Sequence, residues 1–195
     1  MSTLNERLWK SHESRMDVLQ AIHERRSIRS YTEQAVSRED ILTLLRAAMA
    51  GPTAHNGQEW RFVVVDDKDL LHEVPTINPY ARMARRAQLG ILVCADLQAE
   101  KAPGFWIQDC CAAIENILLA ATGIGLGAVW TGISEHYPES IKKYQALFHL
   151  PEHILPAGFI VIGHGKKEAK PVDRYDPEKV HYNSWEAPWE ENFTE

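Results

Sequence analysis

The chain has 195 residues, 21 basic and 27 acidic side chains for a formal charge of −6, and a composition that is 45% hydrophobic and 25% charged, which excludes a disordered, collagen-like or coiled-coil protein. A chain of this length buries roughly 70% of the surface it exposes when unfolded, so residues 1–195 are expected to form a single domain with no disulfide or structural metal. The acidic balance supplies no general basic field, so a protein that grips nucleic acid or an anionic membrane with its whole surface is excluded, and any anion must be held by a local cluster.

The opening segment, Met1 to Ser14, is charged throughout and lacks the apolar run of a secretory signal. Met16 to Arg26 then reads as a short helix, with Val18, Ala21 and Ile22 on one side and a strongly basic turn at its end. Ser37 followed by Asp40 resembles a capping box, and Ile41, Leu44, Leu45, Ala48 and Met49 fall behind it at helical spacing up to a stop at Gly51-Pro52. Four continuous apolar runs follow, Phe62 to Val65, Ile91 to Cys94, Leu126 to Trp130 and Phe159 to Ile162. Continuous rather than alternating runs predict strands covered on both faces, hence a three-layer α/β/α sandwich. Phe105 to Thr122 is apolar nearly all round, interrupted by Asp109, Glu115 and Asn116, so this helix is expected to be buried in the core or against a second subunit. Pro138 to Phe148 reads as a helix opened by a proline where proline is tolerated. From Gly163 the texture turns polar and irregular, with Tyr182, Trp185, Trp189 and Phe193 needing something to pack on. Residues 165–195 are therefore expected to cap their own domain or to wrap a partner subunit as an arm.

Cys94, Cys110 and Cys111 match neither a redox pair nor a zinc spacing and read as reduced core thiols. With no run of the ~20 apolar residues that span a bilayer, the expected compartment is the cytoplasm, without a membrane partner.

Three segments carry chemical signals. Arg25-Arg26-Ser27-Ile28-Arg29 places three guanidinium groups and a hydroxyl in five residues, a local anion site whose planar forks match phosphate oxygens. Gly51-Pro52-Thr53-Ala54-His55-Asn56-Gly57-Gln58-Glu59-Trp60 is a turn-rich loop that offers amide donors and acceptors to the edge of a heterocycle, or serves simply as a connector. Gly123-Ile124-Gly125-Leu126-Gly127 has the order helix, glycines, strand. A dinucleotide fingerprint needs strand, glycines, helix, so these glycines read as a helix stop and a tight entry into the strand. Trp130-Thr131-Gly132 then presents backbone amides at a strand end. His149 and His153 are separated by Pro151 and lack a metalloprotease glutamate, which argues against a metal. No nucleophile elbow is present. Arg82, Arg85 and Arg86 read as a solvated helix face.

Together, Arg25-Arg26-Ser27-Ile28-Arg29-Ser30-Tyr31, Pro52-Thr53-Ala54-His55-Asn56-Gly57-Gln58-Glu59-Trp60-Arg61-Phe62, the buried helix ending in Gly125-Leu126-Gly127, and Trp130-Thr131-Gly132 resemble the FMN-dependent nitroreductase family, in order and spacing, from about residue 16 to residue 185. The resemblance implies an α+β fold with a mostly antiparallel sheet between helices, an intertwined homodimer, and FMN at the subunit interface. It implies that Arg25 and Ser27, within the basic run completed by Arg26, hold the FMN phosphate with Arg174, and that Arg29 reaches the polar edge of the isoalloxazine. Pro52, Thr53, Ala54 and Asn56 would contact the flavin from the other subunit, and the backbone of Trp130, Thr131 and Gly132 would face its N5 side. Two residues depart from the family pattern: Glu59 stands where proline is common, adding a charge near the ring's entrance, and Thr53 stands where serine is usual.

The implied activity is a ping-pong transfer of hydride from NADH or NADPH through the flavin to a small-molecule acceptor such as a nitroaromatic or quinone. In that scheme no side chain is itself catalytic; the protein supplies position and electrostatics. Other flavin chemistry on the same fold, such as dehalogenation or flavin fragmentation, and a flavin-binding module without turnover are the alternatives. Nothing in the sequence marks a ligand for the ribose hydroxyl of NADH or for the 2′-phosphate of NADPH.

Overall fold

The computed structural model describes residues 16–167 and 170–189. The charged opening segment Met1 to Ser14 and the aromatic Phe193 lie outside these residues. Helix α1, Val18–Glu24, starts at Asp17, whose carboxylate accepts from the Leu19 amide at 2.9 Å, and is shorter than the Met16–Arg26 span expected. Helix α2, Arg38–Met49, is capped as anticipated: Ser37 Oγ accepts from the Asp40 amide at 3.0 Å and donates to the Asp40 carboxylate at 2.7 Å. Both arrangements satisfy amides that the first helical turn leaves without partners.

Four strands form one sheet: β1 Trp60–Val65, β2 Leu89–Asp96, β3 Gly127–Gly132 and β4 Ile154–Gly163. Their spatial order is β1-β2-β4-β3 and all three pairings are antiparallel, as the resemblance implied and the apolar runs alone did not reveal. Side chains alternate across the pleat, so β2 sends Ile91, Val93 and Ala95 into one buried cluster and Leu92 and Cys94 into another. The first cluster is completed by α2 and by α4, Trp106–Gly123; the second by α3, Lys68–Ile77, by a 3₁₀ segment, Pro79–Arg86, and by α5, Pro138–Leu147. Helix α3 is a finding of the structure: Asp67 caps it by accepting from the Asp69 and Leu70 amides at 2.9 and 3.0 Å, and Leu71 and Val74 bury its inner face.

The end of α4 shows what the glycines do. The Leu126 amide donates to the Ala121 carbonyl at 2.8 Å and the Gly125 amide to the Thr122 carbonyl at 3.1 Å, with Gly125 at φ 78°. This paired closure needs a left-handed residue, which glycine adopts without a Cβ clash. The helix stop and strand entry expected there are both present, and no helix begins at these glycines.

One side of α4 is fully buried, through Cys110, Ala113, Ile114, Ile117 and Ala121. Its other side is only half covered, and α1 differs from expectation in the same region: Ala21 is buried while Val18 and Ile22 remain 62% and 52% exposed. These residues flank an apolar hollow of about 370 Å³ lined by Val18, Ala21, Ala47, Leu119, Ala120 and Ile124. A seven-residue helix cannot cover both faces, so the chain leaves an apolar surface where α1, α2 and α4 meet.

Beyond β4 the chain pairs with the segment following α1: the Thr32 amide donates to His164 O at 2.8 Å and the Lys166 amide to Ser30 O at 3.0 Å. Farther on, the tail packs partly on itself, His181 stacking on Trp185 at 4.2 Å between ring centroids and Tyr182 standing 6.1 Å from Trp189. Cys94 and Cys110 are buried free thiols, and Cys111 is half-buried; burial pushes the Cys94 thiol up to about 12. Among the described residues no helix is long and apolar enough to cross a membrane.

Candidate functional site

Helix α1 gives way at Arg25 to extended backbone, and the basic segment runs beside strand β3. Ser27 forms a parallel bridge with Ala128, and the Ile28 amide donates to the Ala128 carbonyl at 2.9 Å. An extended chain sends alternate side chains to opposite sides, which sorts the basic run in two. Arg26 and Ile28 line a cavity of about 510 Å³ with Gly125, Gly127, Lys167 and Pro171. Arg29 lines a different cavity, of about 850 Å³. Ile28 fits because Gly127 has no side chain: a Cβ there would lie 2.6 Å from Ile28 Cγ2.

The three arginines have distinct surroundings. Arg25 is half-buried, its Nε 3.4 Å from Glu115 Oε1 on α4. Arg26 donates to the carbonyls of Arg25, Lys170 and Val172, the last at 3.0 Å, so its guanidinium straps the tail to the body. Arg174 stands exposed two residues beyond that strap, within about 7 Å of chain. Arg29 is exposed and donates to Ser27 O at 3.3 Å.

The loop between α2 and β1 is held in an unusual shape. His55, Asn56 and Gln58 have φ of 51°, 52° and 55°, a left-handed region that costs non-glycine residues energy and persists where neighbours impose it. The neighbours are identifiable. The Ala54 amide donates to Asp109 Oδ2 at 2.8 Å, the Gln58 amide to Thr53 Oγ1 at 3.2 Å, Gln58 Nε2 to Asn56 Oδ1 at 2.7 Å, and Lys101 Nζ to Asn56 O at 3.0 Å. Pro52 is exposed, and Thr53 and Ala54 are half-buried.

Glu59 lies elsewhere than the resemblance suggested. Instead of adding a charge at an entrance it points inward, 1% exposed, with both Oε atoms buried and lacking a hydrogen-bond partner. Burial, and then the Asp109 carboxyl beside it, hold Glu59 above the usual carboxylate range. Asp109, whose charge interrupts the apolar pattern of α4, thus serves the loop on one side and faces a second acid on the other.

At the end of β3, the Trp130 indole lies over Gly158, where a Cβ would come 2.5 Å from its Nε1. Thr131 is buried and its hydroxyl donates to Phe159 O at 2.8 Å, while Gly132 O accepts from Asn78 Nδ2 at 3.3 Å. Asn78 also accepts from the Tyr80 amide at 3.0 Å, so it joins the strand end to the 3₁₀ segment. Neither Asn78 nor Asp109 belongs to a recognisable motif; the one available sign was a polar residue inside an apolar stretch.

The structure brings the basic segment and β3 together, and sets both apart from the loop. Adding the Ser27 bridge to the sheet order places residues 25–29 outside β3 and the loop beside β1 at the opposite edge. Four inter-strand spacings, about 19 Å, separate the two edges.

The sequence model of the Nitroreductase family matches residues 22–85 and 78–164. A protein of Methanothermobacter thermautotrophicus, named as a candidate NADH dehydrogenase/NAD(P)H nitroreductase, is 44% identical over 174 residues, covering 88% of this chain and 90% of its own. The FMN reductase [NAD(P)H] of Bacillus subtilis is 25% identical over 184 residues, covering 85% of this chain and 73% of its own. Among solved structures, a candidate nitroreductase from Desulfovibrio desulfuricans in complex with FMN has a TM-score of 0.75 and 32% identity, covering 87% of this chain and 98% of that one.

Proposed function

Because this chain belongs to the nitroreductase family, we propose that it is an FMN-dependent oxidoreductase that takes hydride from NADH or NADPH and passes it to a nitroaromatic, quinone or related acceptor by a ping-pong route. The working unit is an intertwined homodimer in the cytoplasm, each protomer a three-layer sandwich, with the 165–195 arm on the partner.

The observation that carries the shared site is the placement of the two motif segments at opposite edges of one sheet. A single flavin ring does not span about 19 Å of sheet, whereas two protomers that meet through the open face of α1, α2 and α4 would bring the basic segment of one to the loop of the other. The residues present fit FMN. Arg25, Ser27 and Arg29 share one side of an extended segment, offering two cations and a hydroxyl along a line, as a phosphate and a polar ring edge require. Arg174, two residues beyond the Arg26 strap, would add a further cation to the phosphate. When bound, FMN supplies the two-electron carrier that no protein side chain provides.

This chain's residues then bind, orient and shield. Arg29 would lie at the ring's pyrimidine edge, where a fixed cation favours the electron-rich state. Pro52, Thr53, Ala54 and Asn56 of the other copy would face the ring from a loop held by the bonds to Asp109, Thr53 and Lys101. The backbone of Trp130, Thr131 and Gly132 would bound the N5 side; with the Thr131 hydroxyl and the Gly132 carbonyl already engaged, it is the strand end as a surface that serves there.

The test is the visible spectrum of the purified protein after incubation with FMN, followed by anaerobic NADH or NADPH. A flavin band that bleaches with either donor supports the reading, and an Arg25→Ala variant should retain less flavin. A colourless protein, or a flavin that neither donor bleaches, overturns it.

A further inference from the structure

Arg82, Arg85 and Arg86, read from the sequence as a solvated helix face, are exposed on the 3₁₀ segment Pro79–Arg86. The segment is two short 3₁₀ turns meeting at a kink at Ala81 (φ −96°, ψ 23°), and Ala81, Ala84 and Ala87, spaced by three, are all fully buried. Arg82 and Arg85, one turn apart, are directed outward with Arg86 beside them. They line the cavity of about 850 Å³ together with Arg29, Tyr80 and Met83. The buried alanines and the Asn78 cap anchor the backbone that carries these guanidiniums.

The chemistry of this cavity is one-sided. Four arginines line it and no carboxylate does, in a chain whose net charge is −6. Among the described residues, none of the four has a carboxylate within ion-pair distance. Like charges brought together without a protein partner raise the local potential and call for an anionic ligand. The volume lies in the range of sites for organic ligands and far exceeds one inorganic anion. Tyr80, 83% exposed, offers a flat aromatic face of the kind on which a base stacks. A carboxylate suits the ribose 2′-hydroxyl of NADH, whereas arginine suits the 2′-phosphate of NADPH.

We propose that Arg82, Arg85 and Arg86 form the phosphate subsite of the nicotinamide donor, with the 2′-phosphate as its determinant, so that the protein prefers NADPH to NADH. The inference rests on the flavin reading only for position: Arg29, which that reading puts at the ring, also lines the cavity, so a dinucleotide seated there would have the ring beside it.

Two experiments test it. In steady-state kinetics of the FMN-loaded protein, Arg82→Ala and Arg85→Ala should each lower kcat/KM for NADPH about tenfold, through KM, and that for NADH much less. Arg85→Lys should recover part of the loss. Equal losses with both donors, or a wild type that uses NADH as well as NADPH, overturn the proposal. Calorimetry of the purified protein with 2′,5′-ADP, 5′-AMP and inorganic phosphate reads the subsite without turnover. Tight binding of 2′,5′-ADP alone, weakened in the Arg82→Ala/Arg85→Ala double variant, supports it. Indifference to the 2′-phosphate, or phosphate binding as tightly as the nucleotide, overturns it. Failure of the flavin to bleach with either donor would instead strike the activity itself, and the calorimetry would still decide the subsite.

Discussion

A Cβ on Gly127 would stand 2.6 Å from Ile28 Cγ2, so the missing side chain at the start of β3 is what lets the basic segment lie against the sheet. Ile28 is the pin between the Arg25–Arg29 run and the strand, and its fit sets where Ser27 and Arg29 stand. Gly127→Ala should therefore displace the segment, lower FMN retention and cost about 1–3 kcal/mol as overpacking does. Gly125→Ala has open space around it and only the φ of 78° to strain it, so it should lower the melting temperature while sparing flavin retention. Flavin content and thermal melts of the two variants make the comparison.

Asp109 couples α4 to the loop through the 2.8 Å bond from the Ala54 amide. Asp109→Ala leaves that amide without its acceptor, a loss of about 1–3 kcal/mol, and frees a backbone held in left-handed conformations. The Ala54 amide should then exchange its hydrogen faster, and FMN should dissociate faster. Asp109→Asn keeps an acceptor and should fall in between.

Glu59 gives a pH dependence of determined sign. Its carboxyl is held above the usual range by burial and by Asp109, so the folded chain favours the neutral acid. Its contribution is intact at low pH and is lost as pH rises through the raised folded value. Stability should decline over that interval in wild type and stay flatter in Glu59→Gln, which keeps the shape without a charge. At neutral pH the variant should melt higher, by roughly 2–4 °C for about 1 kcal/mol. A lower melting temperature at neutral pH would show that the charged form is the one the fold needs.

The open apolar face makes a prediction about assembly. Val18→Lys with Ile22→Lys places two charges on the exposed side of α1, and Val18→Lys alone, two turns from Arg25, tests the face apart from the proposed phosphate site. Sedimentation should show a dimer in wild type and a monomer in the variant, with flavin lost together with the partner. A monomer that keeps its flavin would separate the cofactor site from the interface.

Several elements were legible because their causes are local. The cap at Ser37, the stop at Gly125, the proline opening α5 and the apolar stretch of α4 each depend on residues within one or two turns, and each stands where the pattern put it. Helix α3 was not legible because it is short and buries only Leu71, Val74 and an internal Pro75, a residue that ordinarily argues against a helix. Arg82, Arg85 and Arg86 are exposed as their spacing implied, while the burial of Ala81, Ala84 and Ala87 beneath them was not legible because small side chains carry little hydrophobic signal.

The sequence by itself determined the four strands, every helix but α3 and the 3₁₀ segments, and the basic run, since capping, turn chemistry and apolar periodicity act between near neighbours. Its motifs also sufficed to suggest the family, because a cofactor's phosphate and ring edge demand particular side chains at particular spacings. Only the tertiary structure decided that the strands stand in the order β1-β2-β4-β3, that Arg26 holds the tail while Arg25 and Arg29 face elsewhere, that Glu59 turns inward onto Asp109, and that the loop and the basic segment stand at opposite edges of the sheet. Those facts depend on contacts between residues distant in the chain, and an isolated stretch of sequence carries no record of what it will be packed against.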